Sequence, residues 1–299
     1  MAVGIDIGSN SLRAVRIDCA TKEKLAEYEK VVRTAEELEK SGKIGEAALK
    51  RIIAAIQEAK EILGNFDSVR AVATAAFRKA KNSQEVRKRI EKATGVAIEI
   101  IDEETESLLS VAGVEYGLAS KGIATERFLM ADIGGASTEL VLKHRGDILY
   151  RSFELGILTA IQRFRSKEEI IFGIRRKMAD IEEFLHDAYE LFGKPKIFAG
   201  TGGTPATVAA LKLGLSYETY DAAKVSGATI EITDIQSAYE RLKLLDPKNR
   251  AKLVGTGRED AIMAGLVILE ELMRRAGYKK MVVCDEGVRE GAALSLCEK

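Results

Sequence analysis

The sequence predicts a two-domain α/β protein in which one strand–turn–strand unit is used twice. Three observations predict it. At 299 residues the chain is longer than one hydrophobic core usually serves. The octapeptides DIGSNSLR at Asp6 and DIGGASTE at Asp132 align without gaps, sharing Asp, Ile, Gly and a Ser five residues after the Asp (Ser11, Ser137). Each follows an apolar strand and precedes another strand, so a unit that recurs once per half reads as a duplication. Strand-like and helix-like stretches also follow one another along both halves.

In chain order, Val3–Ile7 is an apolar strand ending at Gly8, Leu12–Ile17 a second and Leu25–Val32 a third. Leu49, Ile52, Ile53, Ile56, Ala59 and Leu63 are spaced for a helix over 46–63. Val69–Ala73 is a short strand. Asn82–Ser83 is read as capping a helix that Gly95 ends near Thr94. Val96–Ile101 is a strand and Thr105–Tyr116 a helix. The small, polar stretch 117–125 is the expected inter-domain connection. This sets domains at 1–119, joined by the final helix over 287–299, and at 120–286. The pattern then restarts with strands at Phe128–Ile133, Thr138–Lys143 and Ile148–Phe153. A helix over 170–191, a strand at 197–199 and a helix over 204–213 follow. Helices over 235–244, 259–276 and 288–297 complete it, with a strand at 281–283.

Bulk properties narrow the function. Lys+Arg and Asp+Glu each count 46, so no net field draws nucleic acid or an anionic membrane surface, and neither is expected as a partner. No run reaches the roughly 18–20 apolar residues a membrane crossing needs, and the first residues lack a signal peptide's basic region. The odd, scattered cysteines Cys19, Cys284 and Cys297 are expected as reduced thiols of a cytoplasmic protein. With only His144 and His186 present, a histidine-rich metal site is not expected.

The chemistry-bearing motifs point to phosphate. A strand ending in Asp-Ile-Gly delivers a carboxylate to the rim of a sheet, and the small residues after it let backbone N–H groups approach an anion. Two such loops could cradle one phosphate chain, with carboxylates holding Mg²⁺, which takes few carboxylates plus phosphate oxygens. Singly, each could equally be a hairpin turn. AGTGGTPATVAA from Ala199 is a strand, a Gly-rich turn (Gly202, Gly203) and a helix opening at Thr204, the geometry of anion binding at a helix N-terminus. It lacks a P-loop lysine. Arg78, just past a strand, is either a bidentate phosphate clamp or a solvated arginine between Lys79 and Lys81. In IIDEETESLL from Ile100, Asp102, Glu103 and Glu104 suit a first helical turn, whereas Glu106 could activate water. CDEGVREGA from Cys284 is read as a strand, an acidic turn and a helix start.

Together DIGSNSLR, ATAAFR at Ala73, the acidic stretch at Ile100, DIGGASTE, AGTGGT, GREDAIMAG at Gly257 and DEGVREG at Asp285 resemble the exopolyphosphatase/guanosine pentaphosphate phosphohydrolase family along nearly the whole chain. The resemblance implies an actin-like, duplicated ribonuclease-H-type fold with an active site in an inter-domain cleft. It implies hydrolysis of a terminal phosphoanhydride assisted by Mg²⁺, or Mn²⁺ in its place. The substrates would be inorganic polyphosphate and the 5′-γ-phosphate of guanosine pentaphosphate. Carried over, Glu106 is the general base and Arg78 the phosphate clamp. Asp132 and Glu139, with Asp6, are the metal-associated carboxylates. Ser9, Asn10, Ser11, Gly134, Gly135, Ala136 and Ser137 form the phosphate loops, with Gly202, Gly203 and Thr204 at the third. The first loop, Asp6–Arg13, reads more as a phosphate cradle and the second as the metal-bearing one. The final helix is expected to pack on the first domain, and a homodimer is carried as an option.

Two stretches depart from the family pattern. Its Ser-Gly-x-Glu-Glu-Ala-Arg is here Asp102-Glu103-Glu104-Thr105-Glu106-Ser107-Leu108, and its Arg-Leu-Gly-Glu-Gly-Leu is Arg33-Thr34-Ala35-Glu36-Glu37-Leu38. A non-catalytic guanosine tetra- or pentaphosphate sensor and an acyl or sugar kinase of the same fold are the alternatives.

Overall fold

The computed structural model describes residues 1–163 and 167–297. The chain forms two compact units, one of Met1–Gly113 with the segment from Glu286 on, the other of Val114–Asp285.

Unit 1 runs β1 (Ala2–Ile7), β2 (Ser11–Ile17), β3 (Lys24–Val31), α1 (Leu38–Ser41), α2 (Glu46–Leu63), β4 (Val69–Ala73), α3 (Ala75–Lys79), α4 (Ser83–Thr94), β5 (Ile98–Ile100) and the start of α5 (Glu103–Ser120). Unit 2 continues with β6 (Arg127–Ile133), β7 (Thr138–His144), β8 (Asp147–Phe153), α6 (Ile157–Arg163), α7 (Lys167–Phe192), β9 (Ile197–Thr201) and α8 (Gly203–Lys212). It ends with α9 (Ala222–Val225), β10 (Thr229–Glu231), α10 (Ile232–Lys243), α11 (Pro247–Val254), α12 (Ala261–Arg275) and β11 (Lys280–Val283). The last helix, α13 (Val288–Cys297), belongs to unit 1.

The duplication expected from the two octapeptides is visible as topology. Unit 1 has a sheet of order β3-β2-β1-β4-β5, and unit 2 repeats it as β8-β7-β6-β9-β11, with β10 added at the β11 edge. In both, the first three strands form an antiparallel meander and the next runs parallel to the first.

Unit 1 packs the two faces of its sheet in different ways. Val3, Ile5 and Ile7 alternate along β1 onto Leu49, Ile52 and Ile56 of α2, all buried. Burying each such side chain stabilises by about 1.5–3 kcal/mol. The opposite face of β1 meets α13 almost backbone to backbone. A Cβ on Gly4 would lie 1.9 Å from the Arg289 carbonyl oxygen, and one on Gly291 would lie 2.0 Å from that of Leu109 in α5. Glycine is required at both places because nothing larger fits. The N-terminal turn of α13 is held by buried charge. Arg289 Nε donates to Glu290 Oε1 (2.6 Å) and Nη2 to Glu27 (3.2 Å), while Lys24 Nζ pairs with Glu286 (3.2 Å). Burial pushes the Glu290 carboxyl above the usual range, against the pull of Arg289 and Lys24.

The structure corrects four expectations. Cys19 and Cys297 form a disulfide, with their Cα atoms 5.0 Å apart, and Cys284 is buried outside that bond. Three reduced thiols are therefore not what the fold holds, because the packing of α13 on the first sheet brings together cysteines 278 positions apart. The stretch 117–125 is not a linker throughout, since α5 runs on to Ser120 and the division between units falls inside that helix. Asn82 makes no side-chain cap; its amide instead clamps both backbone groups of Ile44, at 2.9 and 3.0 Å. Asp102, read as a dipole partner, is a capping residue as described below. Among the described residues no helix is long and apolar enough to cross a membrane.

Candidate active site

In unit 1 the site residues lie at the ends of β1, β4 and β5. β1 ends at Ile7, and the turn Gly8–Asn10 is closed by Gly8 N–H to the Ser11 carbonyl (3.0 Å). The loop is braced from behind. The Asn10 carbonyl accepts from Val32 N (2.9 Å) and Arg33 N (2.8 Å), and the Ser9 carbonyl from Ala35 N (2.9 Å). Arg33 takes φ +49° to do so, a conformation that costs a non-glycine residue about 1 kcal/mol or more. Arg51 of α2 ties this brace down through the Val32 carbonyl (2.8 Å) and Glu36 (2.6 Å). The stretch that departs from the family's glycine-containing loop is thus the support of the Gly8–Asn10 turn.

Ser9 is buried, Asn10 and Ser11 half-buried. The Asn10 side-chain oxygen is buried with no protein hydrogen-bond partner. Turning that amide by 180° offers N–H donors at the same place, which suits a phosphate oxygen.

Arg78 and Glu106 are brought together. Arg78 sits on α3 after β4, and Glu106 in the first turn of α5 after β5. Arg78 Nη1 donates to Glu106 Oε2 (2.6 Å) and to the Ile101 carbonyl (3.0 Å). Its Nη2 approaches Glu103 only to 3.9 Å, so the guanidinium keeps donors for a phosphate oxygen. Both side chains are largely buried, so Arg78 is not a solvated surface arginine. The departure at 102–108 also has a reason. Asp102 Oδ1 accepts from Thr105 N (2.8 Å), and this hydrogen bonding by Thr105, side chain and backbone, holds the Asp102 carboxyl below the usual carboxylate range. Asp102 and Thr105 therefore cap the start of α5, one turn before Glu106.

In unit 2 the second loop repeats the first. Gly134 N–H closes onto the Ser137 carbonyl (2.9 Å), and here the brace is the start of α6, with Ile157 N to Gly134 O (3.0 Å) and Leu158 N to Gly135 O (2.8 Å). Ala136 and Ser137 are buried, while Gly134 and Gly135 remain partly open.

The two loops differ in what faces each Asp. Asp6 stands opposite Arg13 across β1 and β2, whereas Asp132 stands opposite Glu139 across β6 and β7. Directly opposed residues have Cβ atoms about 4.5–5.5 Å apart on one face of the sheet. The second loop therefore presents two carboxylates together, and the first a carboxylate beside a guanidinium. Glu139 is buried and accepts from Ser152 Oγ (2.9 Å), which fixes its orientation. Arg13 also lies 3.4 Å from Glu29. Among the described residues no three His, Cys, Asp or Glu side chains form a closed metal cage. Two carboxylates fit Mg²⁺ or Mn²⁺ that completes its coordination with phosphate oxygens and water.

The Gly-rich turn reaches the same Asp. Gly202 has φ +93°, and a Cβ there would lie 3.0 Å from the Ile133 carbonyl oxygen and 3.1 Å from Asp132 Oδ1. Gly202 and Gly203 thus set the free N–H groups at the start of α8 beside Asp132. Thr204 is buried, and its hydroxyl packs against α12 at Gly265, so it offers an anion its backbone N–H. One residue was missed by sequence reading. Arg258 Nη1 lies 3.9 Å from where a Cβ on Gly203 would stand, next to this turn. Its place in GREDAIMAG, just after Gly257, was the available signal.

Known proteins resemble this chain along nearly its whole length. A model of the Ppx/GppA phosphatase family matches residues 15–299. Exopolyphosphatase 2 of Mycobacterium tuberculosis is 27% identical, over 98% of this chain and 97% of its own. Exopolyphosphatase 1 of Mycobacterium bovis is also 27% identical, over 98% and 88%. The crystal structure of the Aquifex aeolicus Ppx/GppA family member superposes with a TM-score of 0.73 at 26% identity, covering 98% of this chain and 96% of that one. An exopolyphosphatase structure from Cytophaga hutchinsonii shares the fold with a TM-score of 0.83 at 22% identity, covering 98% and 96%.

Proposed function

This chain belongs to the Ppx/GppA phosphatase family, and from that premise we propose that it hydrolyses the terminal phosphoanhydride of inorganic polyphosphate. The observation that carries the reading is the 2.6 Å contact between Arg78 and Glu106, a carboxylate held by an arginine that still has donors to spare. Water attacks the terminal phosphorus in line, and Glu106 takes its proton. The bridging oxygen leaves with the shortened chain, and orthophosphate is the other product. Negative charge spreads onto the phosphoryl oxygens as the bond breaks, and the spare Arg78 donors and loop N–H groups stabilise it. Asp132 and Glu139 would hold the divalent cation, which when bound neutralises phosphate charge. Asp6, opposite Arg13, is the weaker partner for a cation. Ser9, Asn10 and Ser11, Gly134–Ser137 and the Gly202–Thr204 turn supply the phosphate contacts.

The departures from the family pattern leave this chemistry in place. Asp102 and Thr105 are spent on capping α5, and Arg33–Ala35 on bracing the first loop. Neither change removes Glu106, Arg78 or a loop amide.

Guanosine pentaphosphate presents the same terminal group on a nucleoside. Incubated side by side with Mg²⁺, the protein is expected to release orthophosphate faster from polyphosphate than from guanosine pentaphosphate. Release from neither substrate contradicts the reading, and binding of guanosine tetraphosphate without any release would favour a sensor.

A further inference from the structure

The Cys19–Cys297 disulfide sits at the far end of the helix that packs on α5 at Leu109. α13 is held along its whole length. Its first turn is held by the buried Arg289 and Glu290 charges, with the half-buried Lys24 and the exposed Glu27 as their partners. Its middle lies against β1 at Gly4 and against the Leu109 carbonyl of α5 at Gly291. Its last residue, Cys297, is bonded to Cys19 just after β2. Leu109 lies three residues beyond Glu106 on α5, less than one turn away. With backbone against backbone at Gly291, α13 cannot shift without α5 responding.

The tether is placed to be worked on. Cys19 and Cys297 are both only half-buried, whereas Cys284 is fully buried. A disulfide yields to an external thiolate only where a sulfur can be reached. The turn presenting Cys19 is independently ordered, because Asp18 Oδ1 accepts from Ala20 N (2.8 Å). Around the tether lie Ala2, Val15, Ile17 and Ala293, with Leu294 and Leu296 packed against them, and Arg70 Nη1 donates to Ser295 Oγ (3.0 Å), so the disulfide adds a covalent hold to an otherwise small apolar patch.

We propose that Cys19–Cys297 is a reversible thiol–disulfide site that sets how firmly α13 clamps β1 and α5, and through Leu109 the position of Glu106. A dithiol reductant supplies the two electrons and two protons. One of its thiolates attacks a sulfur, forming a mixed disulfide and expelling the other cysteine as a thiolate. Its second thiol then displaces the remaining cysteine and closes the reductant's own disulfide. Cys19 and Cys297 are left as thiols, and a disulfide oxidant reverses each step. The link to turnover rests on the hydrolase reading; the link to α13 does not.

The full chain is compared oxidised and after treatment with dithiothreitol, with Cys297→Ser alongside. Thiol titration in denaturant is expected to find one thiol in the oxidised protein and three in the reduced. Reduced wild type and Cys297→Ser are expected to melt roughly 5–15 °C below the oxidised protein. Backbone amides of α13 and of the Leu109 turn are expected to exchange about tenfold faster or more. Cys297→Ser no longer responds to dithiothreitol. Phosphate release from polyphosphate falls several-fold on reduction and recovers on reoxidation. Three free thiols after exposure to a disulfide oxidant overturn the proposal, as do equal melting and exchange in the two states. Unchanged turnover in a reduced, active protein overturns the link to Glu106. A redox response of melting and exchange in a protein that hydrolyses neither phosphate substrate sinks the hydrolase reading and supports this one.

Discussion

Replacing Glu106 by glutamine is expected to lower the kcat for phosphate release by about 10²–10⁴-fold, the usual worth of a positioned general base. The amide has the carboxylate's shape, and its oxygen can still accept from Arg78 Nη1, so α3 and α5 stay joined. What is lost is the capacity to take the proton of the attacking water. KM is expected to change little, because phosphate binding falls to Arg78 and the loop amides. The split between kcat and KM separates this from a folding defect, in which soluble yield and melting would fall as well. A Glu106→Gln enzyme that kept more than about a tenth of wild-type kcat would place the base elsewhere.

Gly4→Ala is expected to cost about 3 kcal/mol or more, lowering Tm by roughly 10 °C, or to prevent folding. A methyl there would lie 1.9 Å from the Arg289 carbonyl oxygen and 2.6 Å from the Ala293 nitrogen. Those atoms belong to the backbone of α13, so no side-chain rotation relieves the clash. The helix must lift from β1, and its buried Arg289 and Glu290 lose their fitted partners with it. Thermal melting of the purified variant measures the effect. By contrast Gly146→Ala, where a Cβ would meet nothing within 4 Å, is expected to melt close to wild type. Equal Tm values for the two variants would show that α13 does not sit against β1.

Local signals told most of the fold. The two Asp-Ile-Gly octapeptides predicted the repeat because each sits at the end of an apolar strand and contains its own turn. Even the difference between the loops was written in their eighth residues, Arg13 and Glu139. Only the antiparallel register shows that these face Asp6 and Asp132 rather than pointing elsewhere. What escaped depends on tertiary packing. The Cys19–Cys297 bond joins residues that only the return of α13 brings together, and pairings of cysteines do not follow from spacing. α3, five residues of AAFRK, is too short for a period, and Phe77 holds it by burial. The acidic run from Asp102 offered four carboxylates of similar appearance, and hydrogen bonding sorts them into a cap at Asp102 and an Arg78 partner at Glu106. Arg258 lay unassigned because its neighbour, the Gly202–Gly203 turn, is more than fifty residues earlier in the chain.

The difference between the loops, two carboxylates at Asp132 and Glu139 against a carboxylate and a guanidinium at Asp6 and Arg13, is the centre of the proposed mechanism. Orthophosphate release from polyphosphate, measured across a Mg²⁺ titration for wild type, Asp132→Asn and Asp6→Asn, tests it most directly. Wild type is expected to require the metal and lose activity to a chelator. Asp132→Asn is expected to need about 10–100-fold more Mg²⁺ or to be inactive, with Asp6→Asn shifted much less. Identical Mg²⁺ curves for wild type and Asp132→Asn, or no release by wild type at any Mg²⁺ concentration, would contradict the account.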